Sequence, residues 1–234
     1  MKLLLAERVK LLSTRTPWFC LIGTVAVLLL GSLFAALNTG RPLMLQDVVD
    51  WPAVRIGLVV VLVLAALAVT TEYRFGTIRT TFEAVPTRTP ALLAKTTVVS
   101  VGAAIAGLLG SAGALAVAAV FAPAGSELGL HTEGDWRLVL GVSVFYAVGA
   151  VIGVALGVLI RHTAGAVAVM VGYPMIVETM LNPMLGKKAQ FSPFNLGQAF
   201  LGGPADAWFK LVAYTAIAAA LLAVAAVVAK RRDA

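Results

Sequence analysis

"VRIGLVVVLVLAALAVTTEYRFGTIRTTFEAVPTRTPALLAK", residues 54–95, changes character twice. From Val54 to Thr71 it is apolar apart from Arg55 and its closing threonines, long enough to approach the roughly 20 residues that a bilayer core requires. From Glu72 it then carries Arg74, Arg79, Glu83, Arg88 and Lys95 before a second apolar run opens at Thr97. A short charged segment between two membrane-length segments must lie at a membrane surface.

The whole chain repeats that contrast. Of its 234 residues 60% are hydrophobic and 12% charged, about half the charged fraction of an ordinary soluble domain. Six apolar runs stand out, near Pro17–Leu37, Val54–Thr71, Thr97–Phe121, Trp136–Ile160, Ala164–Leu185 and Trp208–Ala229. Trp18, Trp51, Trp136 and Trp208 all fall at the ends of these runs, where interfacial anchors belong. The expected fold class is therefore an all-α integral membrane protein, with an interfacial helix over 1–16 and a six-span domain over 17–234. The net charge of +7 describes loops and orientation, and no basic surface interleaved with aromatics points to nucleic acid. Cys20, the sole cysteine, has no partner for a disulfide and reads as small apolar filler.

"MKLLLAERVKLLSTR", residues 1–15, lacks the uninterrupted apolar core of a signal peptide because Glu7, Arg8 and Lys10 break it. It reads as an amphipathic helix, with Leu5, Val9 and Leu12 on one face and Lys2, Glu7 and Lys10 reaching water. With the N-terminus placed in the cytoplasm, the outer segments hold Arg41, Arg55, Arg137, Lys187, Lys188 and Lys210. The inner segments hold the other twelve of the 18 Lys+Arg. That bias places both termini, and the segment after Glu72, on the cytoplasmic side.

Within that segment Phe75, Ile78, Phe82 and Val85 recur at helical spacing, while Arg74, Arg79, Thr80 and Glu83 fall off the stripe. Gly76 suits a turn as span two ends, and Pro86 limits the helix at its far end. Glu72, ahead of the turn, places negative charge where a helix N-terminus favours it. From the residues alone two readings stand: an interfacial helix resting on lipid, or a docking helix entering a groove on a soluble partner.

Three stretches carry a resemblance. They are "AERVKLLSTRTPW" (6–18), the set Glu72, Gly76-Thr77, Pro86, Arg88 and Lys95, and "FSPFNLGQAF" (191–200). Together they resemble the membrane subunits of ABC transporters of the type-2 (ABC-2 type) permease family, which work as exporters. The resemblance implies that Glu72, Arg74, Phe75, Gly76, Thr77, Ile78, Arg79, Phe82, Pro86 and Arg88 form a coupling helix seated in a cytoplasmic ATP-binding-cassette subunit. It implies two such ATPases, which hold ATP and Mg, and a second copy of this chain or a homologous permease. It also implies short re-entrant helices over 183–207 on the outer side, and a home in a bacterial plasma membrane. The chain has no phosphate-cradling loop of its own: Gly186-Lys187 is followed by Lys188, with Leu181 where the first glycine belongs.

Glu178 is the least expected residue inside a span, because an acid at a bilayer's centre costs about 2.5–3.5 kcal/mol on insertion scales. Pro174 lies one turn before it and Asn182 one turn after, so the three share a face. That face either lines an export path that a kink at Pro174 helps to open, or Glu178 lies in the outer leaflet and caps the segment that follows. Gly149, Gly153 and Gly157, with Gly141 two turns earlier, permit close helix packing, within the chain or between subunits. Thr70, Thr71, Ser100, Ser111 and Ser143 are expected to bond carbonyls of their own helices. Tyr146 and Tyr173 read as core. His131 and His162 fall on opposite sides, which argues against a shared metal. Arg161-His162 reads as a turn.

The expected function is the non-catalytic permease subunit of an ATP-driven exporter of drugs, lipids, peptides or similar amphipathic cargo. The alternative is a secondary transporter or channel driven by an ion gradient, with Glu178, nearly alone in its span, as the titrating group. A membrane-embedded enzyme ranks last, since no G-x-S-x-G, H-E-x-x-H or intramembrane acid pair is present.

Overall fold

A computed structural model describes residues 2–49, 51–76, 89–202 and 206–232. The fold among these is all-helical, and six helices are long and apolar enough to cross a membrane. Span one is Arg15–Asn38, span two Trp51–Arg74, span three Thr89–Phe121 and span four Glu133–Ile160. Span five runs Thr163–Leu185 and span six Ala207–Arg232. Shorter helices occupy Lys2–Ser13, Leu45–Val48 and Pro193–Gly202. Successive crossings alternate in direction, so the N-terminal helix, the span two–three connection and the span four–five turn share one end of the bundle. That end is called proximal below and the other distal.

Spans two and four form the centre. Their most apolar windows are 61% and 56% buried, against 17% for span six. Span four packs on spans two, three and six and on the Pro193–Gly202 helix, and span one closes against spans two and three. Lipid tails are as apolar as leucine, so shape and internal polar bonds, rather than escape from water, hold such helices together. The glycines of span four supply the shape. A methyl group on Gly153 would lie 2.7 Å from Ala65 Cβ and 3.0 Å from the Leu62 carbonyl oxygen. One on Gly149 would lie 2.5 Å from Leu58 Cδ1, and one on Gly157 would lie 3.2 Å from Ala66 Cα and its carbonyl oxygen. The small-residue row thus serves packing within the chain, while Gly141 receives Phe200 and Leu201 of the Pro193–Gly202 helix.

Polar side chains stitch the same contacts. The Tyr146 hydroxyl donates to the Val54 carbonyl at 2.9 Å, joining spans four and two. Ser32 donates to Ala114 O at 2.7 Å, joining spans one and three. Ser111 bonds Gly107 O of its own helix, as expected, and also Val139 O of span four at 2.7 Å. Thr71 and Ser143 stay within their helices. The expectation fails for Thr70 and Ser100, whose buried hydroxyls have no partner among the described residues.

Three expectations need correction. Span three begins at Thr89, eight positions before the expected Thr97, because Pro90 sits in the first turn, where its missing N–H costs nothing. Span two extends to Arg74, and Gly76, with φ of +72°, turns the chain just beyond it. Glu7 does not reach water: it is buried at 6% exposure, while Leu5 and Val9 of the same helix are open at 56% and 65%. The N-terminal helix therefore turns its acid inward and its apolar stripe outward, for the reason given below.

If the packing of span four on span two sets stability, Gly153→Leu forces apart backbone and Cβ atoms that have nowhere to go. Overpacking of this kind costs about 1–3 kcal/mol. The detergent-solubilised variant should melt several degrees below the parent in a thermal fluorescence assay. Gly23→Ala, where nothing lies within 4 Å of the added carbon, should melt with the parent.

Candidate functional site

Two charged clusters, one at each end of the bundle, concentrate the chemistry of the chain. At the proximal end the Lys95 ammonium, on the second turn of span three, lies 2.6 Å from Glu7 Oε2 and 2.9 Å from Glu72 Oε1. Lys10, one turn after Glu7, lies 3.1 Å from Glu7 Oε1 and 3.2 Å from Glu72 Oε1. Two acids and two bases thus alternate. Glu7, Glu72 and Lys95 are nearly enclosed, with side chains 7–11% exposed, while that of Lys10 is 45% exposed. Partial burial works against the charged form of Lys10, but the Glu72 charge and the hydrogen bond and charge of Glu7 outweigh it. Its pKa is raised above the ordinary 10.5, so the pairing is complete below that value and is lost only as pH climbs through the raised one.

This cluster explains the inward turn of Glu7. An ammonium buried on span three needs carboxylates, and one from span two leaves a donor of Lys95 to satisfy. It also places Glu72. Its carboxylate is engaged by Lys95 and Lys10 at the last turn of span two, where a negative charge opposes the helix dipole and a cation relieves it. The next residue, Tyr73, receives the Arg161 guanidinium over its ring at 4.9 Å. Arg161, at φ +57°, ends span four, and His162 Nδ1 caps span five by accepting from Gly165 N at 3.1 Å. The last turn of span two is therefore tied to the N-terminal helix, to span three and to the span four–five turn.

Of the residues expected to meet a partner, Glu72, Arg74, Phe75 and Gly76 are described. Arg74 stacks on Phe75 at 5.5 Å, and both are exposed, Phe75 at 72%. Thr77, Ile78, Arg79, Phe82, Pro86 and Arg88 lie outside the described residues.

At the distal end Glu178 is fully enclosed at 0% exposure. Its Oε2 accepts from Arg55 at 2.8 Å, and its Oε1 accepts from the backbone N–H groups of Phe194 at 3.1 Å and Asn195 at 3.3 Å. Those amides open the Pro193–Gly202 helix, so the acid caps a helix N-terminus and meets its positive dipole end. Arg55 also donates to Asn195 Oδ1 at 2.7 Å. The Asn195 amide in turn donates to Asn182 Oδ1 at 2.7 Å and to the Ala189 carbonyl at 2.9 Å. Glu178 and Asn182, expected on one face, do meet in one network. Pro174, also buried, lies in a π-helical turn over Tyr173–Val177, where the regular bonding of the helix is interrupted.

Arg55 is the residue that sequence reasoning missed. Counted there as an outer-segment charge, it instead lies on the first turns of span two and pairs with Glu178, so Glu178 is not nearly alone. The signal was available: Arg55 lies inside the expected span two and Glu178 inside span five, and ionised residues within such spans tend to pair. Among the described residues no group of three or more His, Cys, Asp or Glu could hold a metal ion.

Removing Arg55 leaves a buried carboxylate without its cation, a change that typically costs about 3–5 kcal/mol. Arg55→Met should therefore lower the melting temperature of the purified protein sharply. Glu178→Gln, whose amide oxygen can still accept from the helix N-terminus, should lower it less. Equal melting of parent and Arg55→Met would mean that the pair contributes nothing. Compared with models of known families the chain matches none, and no curated protein matches its sequence.

Proposed function

We propose that the chain is the membrane-spanning subunit of an ATP-driven exporter of the type-2 ABC permease kind. It would work with two cytoplasmic ATP-binding-cassette subunits and a second permease, itself or a homologue, in a bacterial plasma membrane with both termini in the cytoplasm. In this reading the loop Glu72–Arg88 contains the coupling helix, and the partner chain binds ATP and Mg and hydrolyses the nucleotide. The permease is not itself catalytic. Its cargo would be a drug, lipid, peptide or similar amphipathic molecule, released past outer re-entrant helices over 183–207.

The observation that carries the proposal is the setting of that loop. A sequence stripe of Phe75, Ile78, Phe82 and Val85 lies between two membrane-length helices whose ends, Glu72 and Lys95, are joined by a buried ion pair at 2.9 Å. A push on a loop mounted in this way reaches spans two and three together, and through Tyr73 the span four–five turn. A loop resting idly on lipid has no need of such a mount. The gradient-driven alternative gains nothing from Glu178, whose carboxylate is enclosed and already held by Arg55 and two backbone amides.

Two measurements test it. A cysteine placed at Thr80 in a Cys20→Ala background should react in intact cells only with a maleimide that crosses the membrane. Reaction with an impermeant maleimide would put the loop outside and end the proposal. Arg79→Glu and Phe82→Asp should leave the subunit inserted and the partner's ATP hydrolysis running, while export falls by about tenfold or more, the factor given by about 1.4 kcal/mol of lost docking. Unchanged export in both variants would remove the coupling role.

A further inference from the structure

We infer that the Lys2–Ser13 helix is a detachable clamp on the two helices that bracket residues 77–88, and that the four-charge cluster lets it go without stranding a charge. Within the cluster each acid pairs with both bases, and these contacts divide in one particular way. Glu7 and Lys10 belong to the same helix and pair with each other at 3.1 Å, whereas Glu72 and Lys95 pair at 2.9 Å across spans two and three. Among the ion pairs of the cluster, lifting the N-terminal helix breaks Lys95–Glu7 and Lys10–Glu72. It leaves two neutral pairs, one on each body. The large penalty for opening a buried ion pair comes from leaving one charge unpaired, and here none is left.

Three local features fit a part built to come away. The Glu72 Oε2 atom is buried without a hydrogen-bond partner among the described residues, so Lys95, on losing Glu7, has a second acceptor on the residue it already holds. Thr14, between the N-terminal helix and span one, is extended at φ −102° and ψ 150° and makes no side-chain cap, which leaves a joint between two rigid rods. Leu4, Leu5, Val9 and Leu12 face outward, so a helix that leaves the bundle can keep its apolar stripe in the lipid interface. The helix thus trades one set of contacts for another while staying at the membrane.

The test uses this chain alone in lipid nanodiscs, with neither ATPase nor cargo, so its outcome is separate from that of the transport proposal. Spin labels go on Val9→Cys and Thr97→Cys, both exposed positions, in a Cys20→Ala background, and pulsed EPR reads the distance between them. With the native cluster one short-distance population should dominate. Glu7→Gln with Lys10→Met removes the helix's own pair and leaves Glu72–Lys95 intact. The docked-to-undocked ratio should then fall by about tenfold or more, as loss of two charge-assisted contacts implies, with the melting temperature of the six-span body unchanged. Lys95→Met, which leaves Glu72 with no cation of the cluster on its own body, should lower the melting temperature. An unchanged distance distribution in the Glu7→Gln/Lys10→Met protein overturns the clamp. So does a drop in its melting temperature as large as that of Lys95→Met, since the cluster would then be a single indivisible part of the fold.

Discussion

The close approach of span four to span two is the constraint on which the rest of the molecule depends. Two helices in hydrocarbon gain little from hiding apolar surface, so their association rests on dispersion between well-fitted surfaces and on internal hydrogen bonds. Gly149, Gly153 and Gly157 bring the backbones near enough for both, and Tyr146 bonds Val54 across the same seam. Spans three and six then pack on span four, and span one on spans two and three. Span two, fixed along its length, is thereby a rigid rod with a charged residue near each end: Arg55 distally and Glu72 proximally. The two ion clusters are attached to the two ends of one well-held helix.

How much of this could be read from the chain differs from feature to feature. The six spans were legible because a run of apolar residues long enough to cross a bilayer has few other uses, and all six expected cores fall wholly within the observed spans. Span three was placed too short, since Lys95 looked like the edge of the membrane. The charge is in fact buried, and only the positions of Glu7 and Glu72 in space make that affordable. Periodicity within one helix cannot reveal such a partner. The same limit hid Arg55: its partner Glu178 lies 123 residues away in sequence. Glu7 was assigned to water because it falls off the Leu5, Val9 and Leu12 face, and spacing within one helix cannot show Lys95 beside it. The span-four glycines were legible as a packing surface, but spacing could not choose the surface they meet.

The two clusters differ in a way that bears on movement. At the distal end one arginine serves one glutamate, and the same carboxylate caps a helix N-terminus through two amides. Separating Arg55 from Glu178 leaves a bare charge enclosed by protein, and moving the Pro193–Gly202 helix leaves amides unbonded as well. No division of that set yields neutral parts. The distal cluster therefore behaves as a fixed clasp, resisting any motion that parts span two, span five and the helix beyond it. At the proximal end two acids and two bases divide into self-sufficient pairs, and each of the four gives up one contact and keeps one.

A rod clasped at one end and held by a divisible cluster at the other responds to force unevenly. Displacement arriving through the residues after Gly76 meets its softest resistance at the N-terminal helix and its stiffest at Arg55 and Glu178. The π-turn at Pro174 lies on span five one turn from the clasp, where its backbone bonding is already irregular, so bending there costs less than bending a regular helix. Motion of the proximal end would then be converted into a pivot about the distal clasp, with span five flexing beside it. That conversion follows from where charges can and cannot be separated.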